Sequence, residues 1–222
     1  VIEFLQSEKP VEGSMQSSFH TLVLQLRPEP ESLLAAMKKD TRYEIRRAQA
    51  KDDLHFEFHK EIPDEIFSEF IRFHEKFSAN QGRANLNERT LRRYVDEGHL
   101  NLSCMKSCNG KSLTWHSYVV VKDRARLLHS ASHLAAEAPT AERSLIGRAN
   151  RLHHWLDILR FRDVGLQIYD LGGWYAGKDD PKKIKINQFK EEFGGTLESS
   201  YNCLVPVSIA GKLYTQLKRL RG

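Results

Sequence analysis

The chain has 222 residues, 40% hydrophobic and 28% charged, enough to bury a sizeable core and too apolar for a disordered polymer. Its apolar runs, such as Tyr118 to Val121, are far too short to cross a bilayer. The net charge of +5 gathers in Lys38, Lys39, Arg42, Arg46, Arg47 and Lys51 and in Lys178, Lys182, Lys183, Lys185 and Lys190, two clusters that suit phosphate or a solvated face equally.

Three cysteines, Cys104, Cys108 and Cys203, form an odd and sparse set. They imply a reducing, cytoplasmic setting and no disulfide scaffold. Cys104 and Cys108 lack a second ligand pair, so no zinc site is expected. The chain opens on Val1, as a piece of a longer protein would.

Phe19 to Leu26 alternates in character and is stopped by Pro28 and Pro30, the pattern of a first strand. A helix is predicted from Glu31, with Leu33, Leu34 and Met37 on one face, continuing or restarting through Arg42 to Lys51. Leu54 to His59 is a short strand. Pro63-Asp64 then opens a helix carrying Phe67, Phe70, Ile71, His74 and Phe77 at helical spacing. A further helix runs from about Asn87 to Glu97. Leu100 to Lys106, the Asn109-Gly110 turn and Ser112 to Val121 make a hairpin, because Asn-Gly supplies the positive φ angles of a tight turn. Arg126 to Ser132 returns as the third strand of this meander.

Pro139 and Thr140 start the next helix, about Ala141 to Phe161, with Leu145, Ile146, Ala149, Leu152, Leu156 and Leu159 as its apolar stripe. Gln167 to Leu171 follows as a strand, Ile186 to Phe193 as a short helix, Tyr201 to Val207 as a last strand and Ser208 to Leu220 as a basic helix. The order predicts one α/β domain, residues 1–222 with a core at about 19–207, whose mixed sheet is mainly antiparallel.

His116, His129 and His133 lie on neighbouring predicted strands and titrate near neutral pH, so one facing a cleft could relay a proton. Structural histidines fit the same pattern. His153-His154 lacks the i, i+4 pairing of a zinc helix, and no metal is assigned. Arg42 and Arg46 share a helix face and would suit a phosphate or carboxylate, or merely solvent. Asp170 is a general-base candidate by type, or a tie for the glycine turn that follows it.

Three stretches carry a family resemblance. Tyr169-Asp170-Leu171-Gly172-Gly173 ends a strand; a lysine-rich loop follows; then comes Phe189-Lys190-Glu191-Glu192-Phe193-Gly194-Gly195. Glycine pairs here leave room for a ligand or a second backbone. Upstream, Leu34, Met37, Lys38, Lys39, Thr41, Arg42, Tyr43, Ile45, Arg46, Arg47 and Ala48 form a basic helix. Together they resemble the Fem-type transferases, the peptidoglycan interpeptide-bridge enzymes, and the related BioF2-like acetyltransferases, which are built on the acyl-CoA N-acyltransferase (GNAT) fold.

The resemblance implies a GNAT fold and an acyl transfer in which Lys190 stabilises negative charge at the acyl carbonyl and Phe189 walls the pocket. Tyr169, Gly172 and Gly173 would floor the acceptor side. The family's pyrophosphate cradle would fall on Arg143-Ser144-Leu145-Ile146-Gly147-Arg148-Ala149-Asn150, where the glycine comes one residue late, so this stretch is a cradle around Arg143, Gly147, Arg148 and Ala149 or simply a helix. The leading expectation is transfer from acetyl-CoA or acyl-CoA to a primary amine of an amino sugar, an envelope precursor or an amino-acid-like acceptor. A second keeps the fold and takes aminoacyl-tRNA as donor, extending a peptidoglycan precursor. A third is a catalytically silent binding module.

Overall fold

The computed structural model describes residues 1–133 and 138–219. Among these, eight strands form a mixed sheet of order β1-β8-β2-β7-β6-β5-β4-β3. In chain order they are β1 (Ile2–Ser7), β2 (Met15–Gln25), β3 (Leu54–His59), β4 (Leu100–Ser107), β5 (Ser112–Val121), β6 (Arg124–Ser132), β7 (Ile168–Gly173) and β8 (Thr196–Val205). The helices are α1 (Pro30–Ala36), α2 (Lys39–Lys51), α3 (Asp64–Gln81), α4 (Glu88–Asp96), α5 (Thr140–Asp163), α6 (Pro181–Glu191) and α7 (Ile209–Arg219). The chain divides into two compact units, one of Val1–Val23, Gly172–Glu191 and Gly195–Gly222, the other of Leu24–Leu171 and Glu192–Gly194.

In the larger unit β4, β5 and β6 form the expected antiparallel meander, β3 pairs antiparallel with β4, and β7 joins β6 in parallel after the α5 crossover. Strand alternation sorts the β5 side chains between two helical layers. Thr114, His116 and Tyr118 bond to α5 residues, whereas Trp115 packs on Phe70 of α3. The α3 side is an apolar cluster of Phe67, Phe70, Leu91, Leu100, Leu102, Cys104 and Trp115, all buried. On the other side α2 packs on α5, burying Thr41, Ile45 and Ala48 at i, i+4 and i+7.

In the smaller unit β8 pairs antiparallel with both β1 and β2. Strand β1 was not anticipated, because its residues are mostly exposed and no alternating buried face marks them. Exposure at the start of β8 likewise hid five residues, and the strand begins at Thr196, not Tyr201. Helix α6 begins at Pro181 instead of Ile186. The signal was local: Pro181 opens the helix, and the Asp180 carboxylate accepts the backbone N–H groups of Lys182 and Lys183 at 3.0 and 3.1 Å. The predicted end of the last helix at Leu220 lies outside the described residues.

Of the second glycine pair, Gly194 belongs to the larger unit. It has φ +78°, and a Cβ there would stand 3.1 Å from the Ala36 carbonyl oxygen at the end of α1. Close by, the Lys38 N–H donates to the Glu192 carbonyl at 2.9 Å. Gly194→Ala therefore meets both a disfavoured backbone angle and a backbone atom that cannot swing away. Urea titration of this variant is expected to show a loss of about 1–3 kcal/mol.

Candidate functional site

The smaller unit holds the first glycine pair. Gly172 adopts φ +76°, and the Thr21 hydroxyl donates to its carbonyl at 2.9 Å. A Cβ on Gly173 would touch the Phe19 ring at 3.4 Å. The chain leaving β7 is pinned twice: the Trp174 N–H donates to the His20 carbonyl at 2.7 Å, and the Asn187 amide of α6 both accepts from the Tyr175 N–H at 3.1 Å and donates to the Tyr175 carbonyl at 2.7 Å. This fixes α6 to the strand end and brings Lys190, one turn further on, to Gly173: its Nζ donates to the Gly173 carbonyl at 2.5 Å. A hollow of about 290 Å³ opens here, lined by Gly173, Trp174, Tyr175, Lys183, Ile186 and Asn187. Phe189 is half-buried on the same helix.

The larger unit holds a second concentration of titratable groups that sequence reasoning mostly missed. Asp157 of α5 has no exposed surface. Its Oδ2 lies 2.7 Å from His116 Nδ1 and accepts the Tyr118 hydroxyl at 2.7 Å. Tyr118 in turn meets the Tyr169 hydroxyl at 2.7 Å, and that hydroxyl meets His154 Nδ1 at 2.8 Å. His116 Nε2 reaches Asn150 Oδ1 at 3.0 Å. His153 is held by Thr114 and Ser103 hydroxyls at 2.7 and 2.8 Å. Burial, reinforced by His116 and His154, pushes the His153 pKa well below its ordinary value. Burial and the Asp157 charge push both tyrosines well above theirs.

His116, His153 and Asp157 offer three ligand atoms within 4.8 Å of one another. The arrangement does not fit an ion, however. The two imidazoles are stacked at 3.7 Å and 8°, so their in-plane lone pairs run side by side instead of converging, and each ring nitrogen already meets a polar partner. The group is a hydrogen-bonded core. Its sequence signal is the i, i+4 pair His153 and Asp157.

Several predicted site residues are placed differently from expectation. Gly147 and Ala149 lie inside α5, where backbone N–H groups are committed to carbonyls one turn back, and even the Arg143 N–H donates to Pro139; this stretch is a helix, not a backbone phosphate cradle. Arg148 is engaged by Asp52, at 2.5 and 2.9 Å, and Arg143 is exposed. Asp170 is fully buried and accepts Arg124 Nε and Nη2 at 3.0 and 2.8 Å, tying β6 to β7 rather than standing ready as a base. His116 is buried with both nitrogens engaged, so it faces no cleft. Tyr169 belongs to the same buried chain. Arg42 caps carbonyls at the end of α1, Ala35 and Met37, while Arg46 on the next turn is exposed.

No protein-family model and no curated protein sequence matches the chain. Solved structures do. FemX superposes with a TM-score of 0.71 at 13% identity over 97% of this chain and 68% of its own. The C-terminal DUF2156 domain assigned to a lysylphosphatidylglycerol synthetase from Agrobacterium fabrum gives 0.56 at 15% identity, over 92% and 65%. L-PGS from Bacillus licheniformis gives 0.54 at 12%, over 92% and 67%. The chain thus spans about two thirds of the length of these proteins. The likeness is one of fold: the chain has the Fem-like, GNAT-type α/β fold that its glycine and Phe-Lys motifs implied. Among the described residues no helix is long and apolar enough to cross a membrane.

The buried histidines set an acid limit on stability. Burial lowers the pKa of His153, of His74 and of His129, the last to about 4. Each is neutral when folded and takes up a proton near pH 6.5 when unfolded, so its full contribution is present above pH 6.5 and declines as the pH falls towards the folded value. Urea midpoints should fall between pH 6.5 and 4, with up to one proton taken up on unfolding per histidine.

Proposed function

We propose that this chain is an N-acyltransferase that carries an acyl group from an activated donor to a primary amine, with Lys190 as the catalytic residue. The observation that carries the reading is the Lys190 ammonium set against the Gly173 carbonyl at the wall of the hollow beyond β7. The GNAT-type fold and the Phe189-Lys190 motif support it.

The neutral amine attacks the acyl carbon, forming a C–N bond and moving a pair of electrons onto the carbonyl oxygen. Lysine is a mobile point charge with three donors; its ammonium turns from the Gly173 carbonyl towards that oxyanion, a contact worth several kcal/mol once bound substrate displaces water from the hollow, roughly 10²–10³ in rate. Collapse restores the carbonyl, breaks the bond to the leaving thiolate and releases the extra ammonium proton, either to the thiolate or to water. Gly172 and Gly173 let the acyl group approach the backbone, and Phe189 shields it from water. The engagement of Asp170 and His116 within the fold favours proton loss through solvent over a dedicated side-chain base.

Acyl-CoA, in its simplest form acetyl-CoA, is the donor of this reading, and an envelope precursor, amino sugar or amino-acid-like amine the acceptor. A second reading puts an aminoacyl-tRNA ester in the donor's place, so that a ribose hydroxyl leaves. Lys183 at the hollow, with Lys178, Lys182 and Lys185 exposed nearby in the sequence, favours a donor rich in phosphate, which both carry. Arg143, Arg42 and Arg46 are retained as side-chain contacts to phosphate or acceptor carboxylate.

Titration calorimetry with acetyl-CoA, free CoA and aminoacyl-tRNA separates the readings. Saturable CoA binding supports the first, binding of tRNA alone the second, and neither supports a silent module. Lys190→Ala is expected to lower single-turnover transfer about 10²–10³-fold with the thermal midpoint little changed. Undiminished transfer in that variant would remove Lys190 from the mechanism.

A further inference from the structure

Helix α7, in the smaller unit, has its amphipathicity turned inside out. A helix of a folded domain normally buries its apolar stripe and wets its polar one. Here the buried positions are Gly211 and Thr215. Ile209, Leu213 and Leu217, at i, i+4 and i+8, are instead 88%, 58% and 49% exposed. Tyr214 beside them is exposed too, as is Val207 just before the helix.

Local chemistry builds this orientation. Pro206 follows the last residue of β8, and Ser208 caps the helix: its Oγ accepts the Gly211 N–H at 3.1 Å and its carbonyl the Lys212 N–H at 2.9 Å. A Cβ on Gly211 would stand 3.3 Å from a Val1 methyl and 3.5 Å from Pro206 Cα, so close packing on this side takes a residue without a side chain. The Thr215 hydroxyl turns back to the Lys212 carbonyl at 3.0 Å. The inward side is thus filled by small residues, and every large apolar group of the helix is left outside.

Charge completes the pattern. From Ser199 to Gly222 the sequence contains no aspartate or glutamate and carries Lys212, Lys218, Arg219 and Arg221. Lys212 and Lys218 are exposed, and helical spacing puts them on opposite sides of the Leu213 stripe. The opposing charge is Glu3, which strand alternation turns to the same side as Val1; the cations outnumber it.

From this we infer that α7 is an interfacial helix that docks the smaller unit on an anionic lipid bilayer. Ile209, Leu213 and Leu217 sink to the level where headgroups meet acyl chains, Tyr214 sits at that boundary, and Lys212 and Lys218 meet lipid phosphates. A helix of 11 residues can lie in the interface and is too short to span the bilayer. A second copy of the chain fits the leucines less well, because two such faces brought together would oppose lysine to lysine. A nucleic acid would meet the lysines and leave the apolar stripe in water.

The test floats the intact chain with vesicles of phosphatidylcholine alone and of phosphatidylcholine with about one third phosphatidylglycerol. Saturable binding to the anionic vesicles is expected, weakened by added salt. Lys212→Gln and Lys218→Gln should each weaken it about fivefold, and Leu213→Gln at least tenfold, with thermal midpoints unchanged because all three side chains are exposed. Binding to neither vesicle, equal binding to both, or anionic binding that Leu213→Gln leaves untouched would overturn the inference, the last by giving the contact to another basic cluster. A dimer in analytical ultracentrifugation that Leu213→Gln dissolves would also overturn it, by assigning the face to a second copy. None of these residues belongs to the proposed transfer machinery, so donor calorimetry judges the transferase reading separately.

Discussion

A carboxylate with no exposed surface governs the larger unit. Asp157 sits on α5 against the sheet, and a charge there is tolerable only because His116 and Tyr118, two positions apart on β5, both turn towards it. Tyr118 passes the bonding on to Tyr169 of β7, and Tyr169 returns it to His154 of α5. The loop of contacts locks one helix to two strands in a single register. Sliding α5 by one residue would strand the carboxylate, at a cost of about 3–5 kcal/mol. One Asp157 oxygen still lacks a partner among the described residues, so the network favours one arrangement more by penalising the others than by being perfectly satisfied.

The same network explains where the glycine motif falls. Tyr169 is fixed at the buried end of β7, and Asp170 is fixed beside it by Arg124. With those two residues anchored, the strand ends three residues further on, at Gly173, whose carbonyl receives Lys190. In Tyr169-Asp170-Leu171-Gly172-Gly173, the first three residues are therefore structural and the last two are the ones that make room. The motif that looked like one functional unit is a buried anchor followed by a permissive strand end.

What was legible in the sequence follows from how each element declares itself. Helix α3 repeats cleanly because one face is buried and the other wet, while β4 and β5, buried on both faces, are marked off by the Asn109-Gly110 turn between them; the predicted and observed spans of β3 to β6 and α3 nearly coincide. Helix α5 was found, but its face was misjudged. The predicted stripe included Leu145, Leu156 and Leu159, whereas the buried surface is wide and takes in His153, His154 and Asp157 beside Ile146, Ala149, Leu152, Ile158 and Phe161. A helix buried over so wide a face has no clean polar side to calibrate the phase, and its polar core residues read as surface. Of the two alternatives for the stretch around Gly147, cradle or helix, the structure takes the helix. Lys190 was singled out by its place in the Phe-Lys motif, yet its partner, the Gly173 carbonyl, is 17 positions away and is set by the Asn187 clamp, which no local pattern announces.

In the proposed transfer the charge falls to a lysine, and the histidines show why. His153 is held neutral by burial, and His74 and His129 are shifted the same way, while His116 and His154 are spent on the buried chain around Asp157. Histidines with a lowered pKa, as the first three are, supply hydrogen bonds at neutral pH, not charge or a ready proton shuttle. In the proposed transfer, the negative charge that develops on the reacting oxygen must then be met by a side chain that keeps its charge at a partly wet edge. Lysine and arginine can do so because their long stems keep the charge in water while the stem packs. Lys190, held against the glycine end of β7, occupies that kind of position.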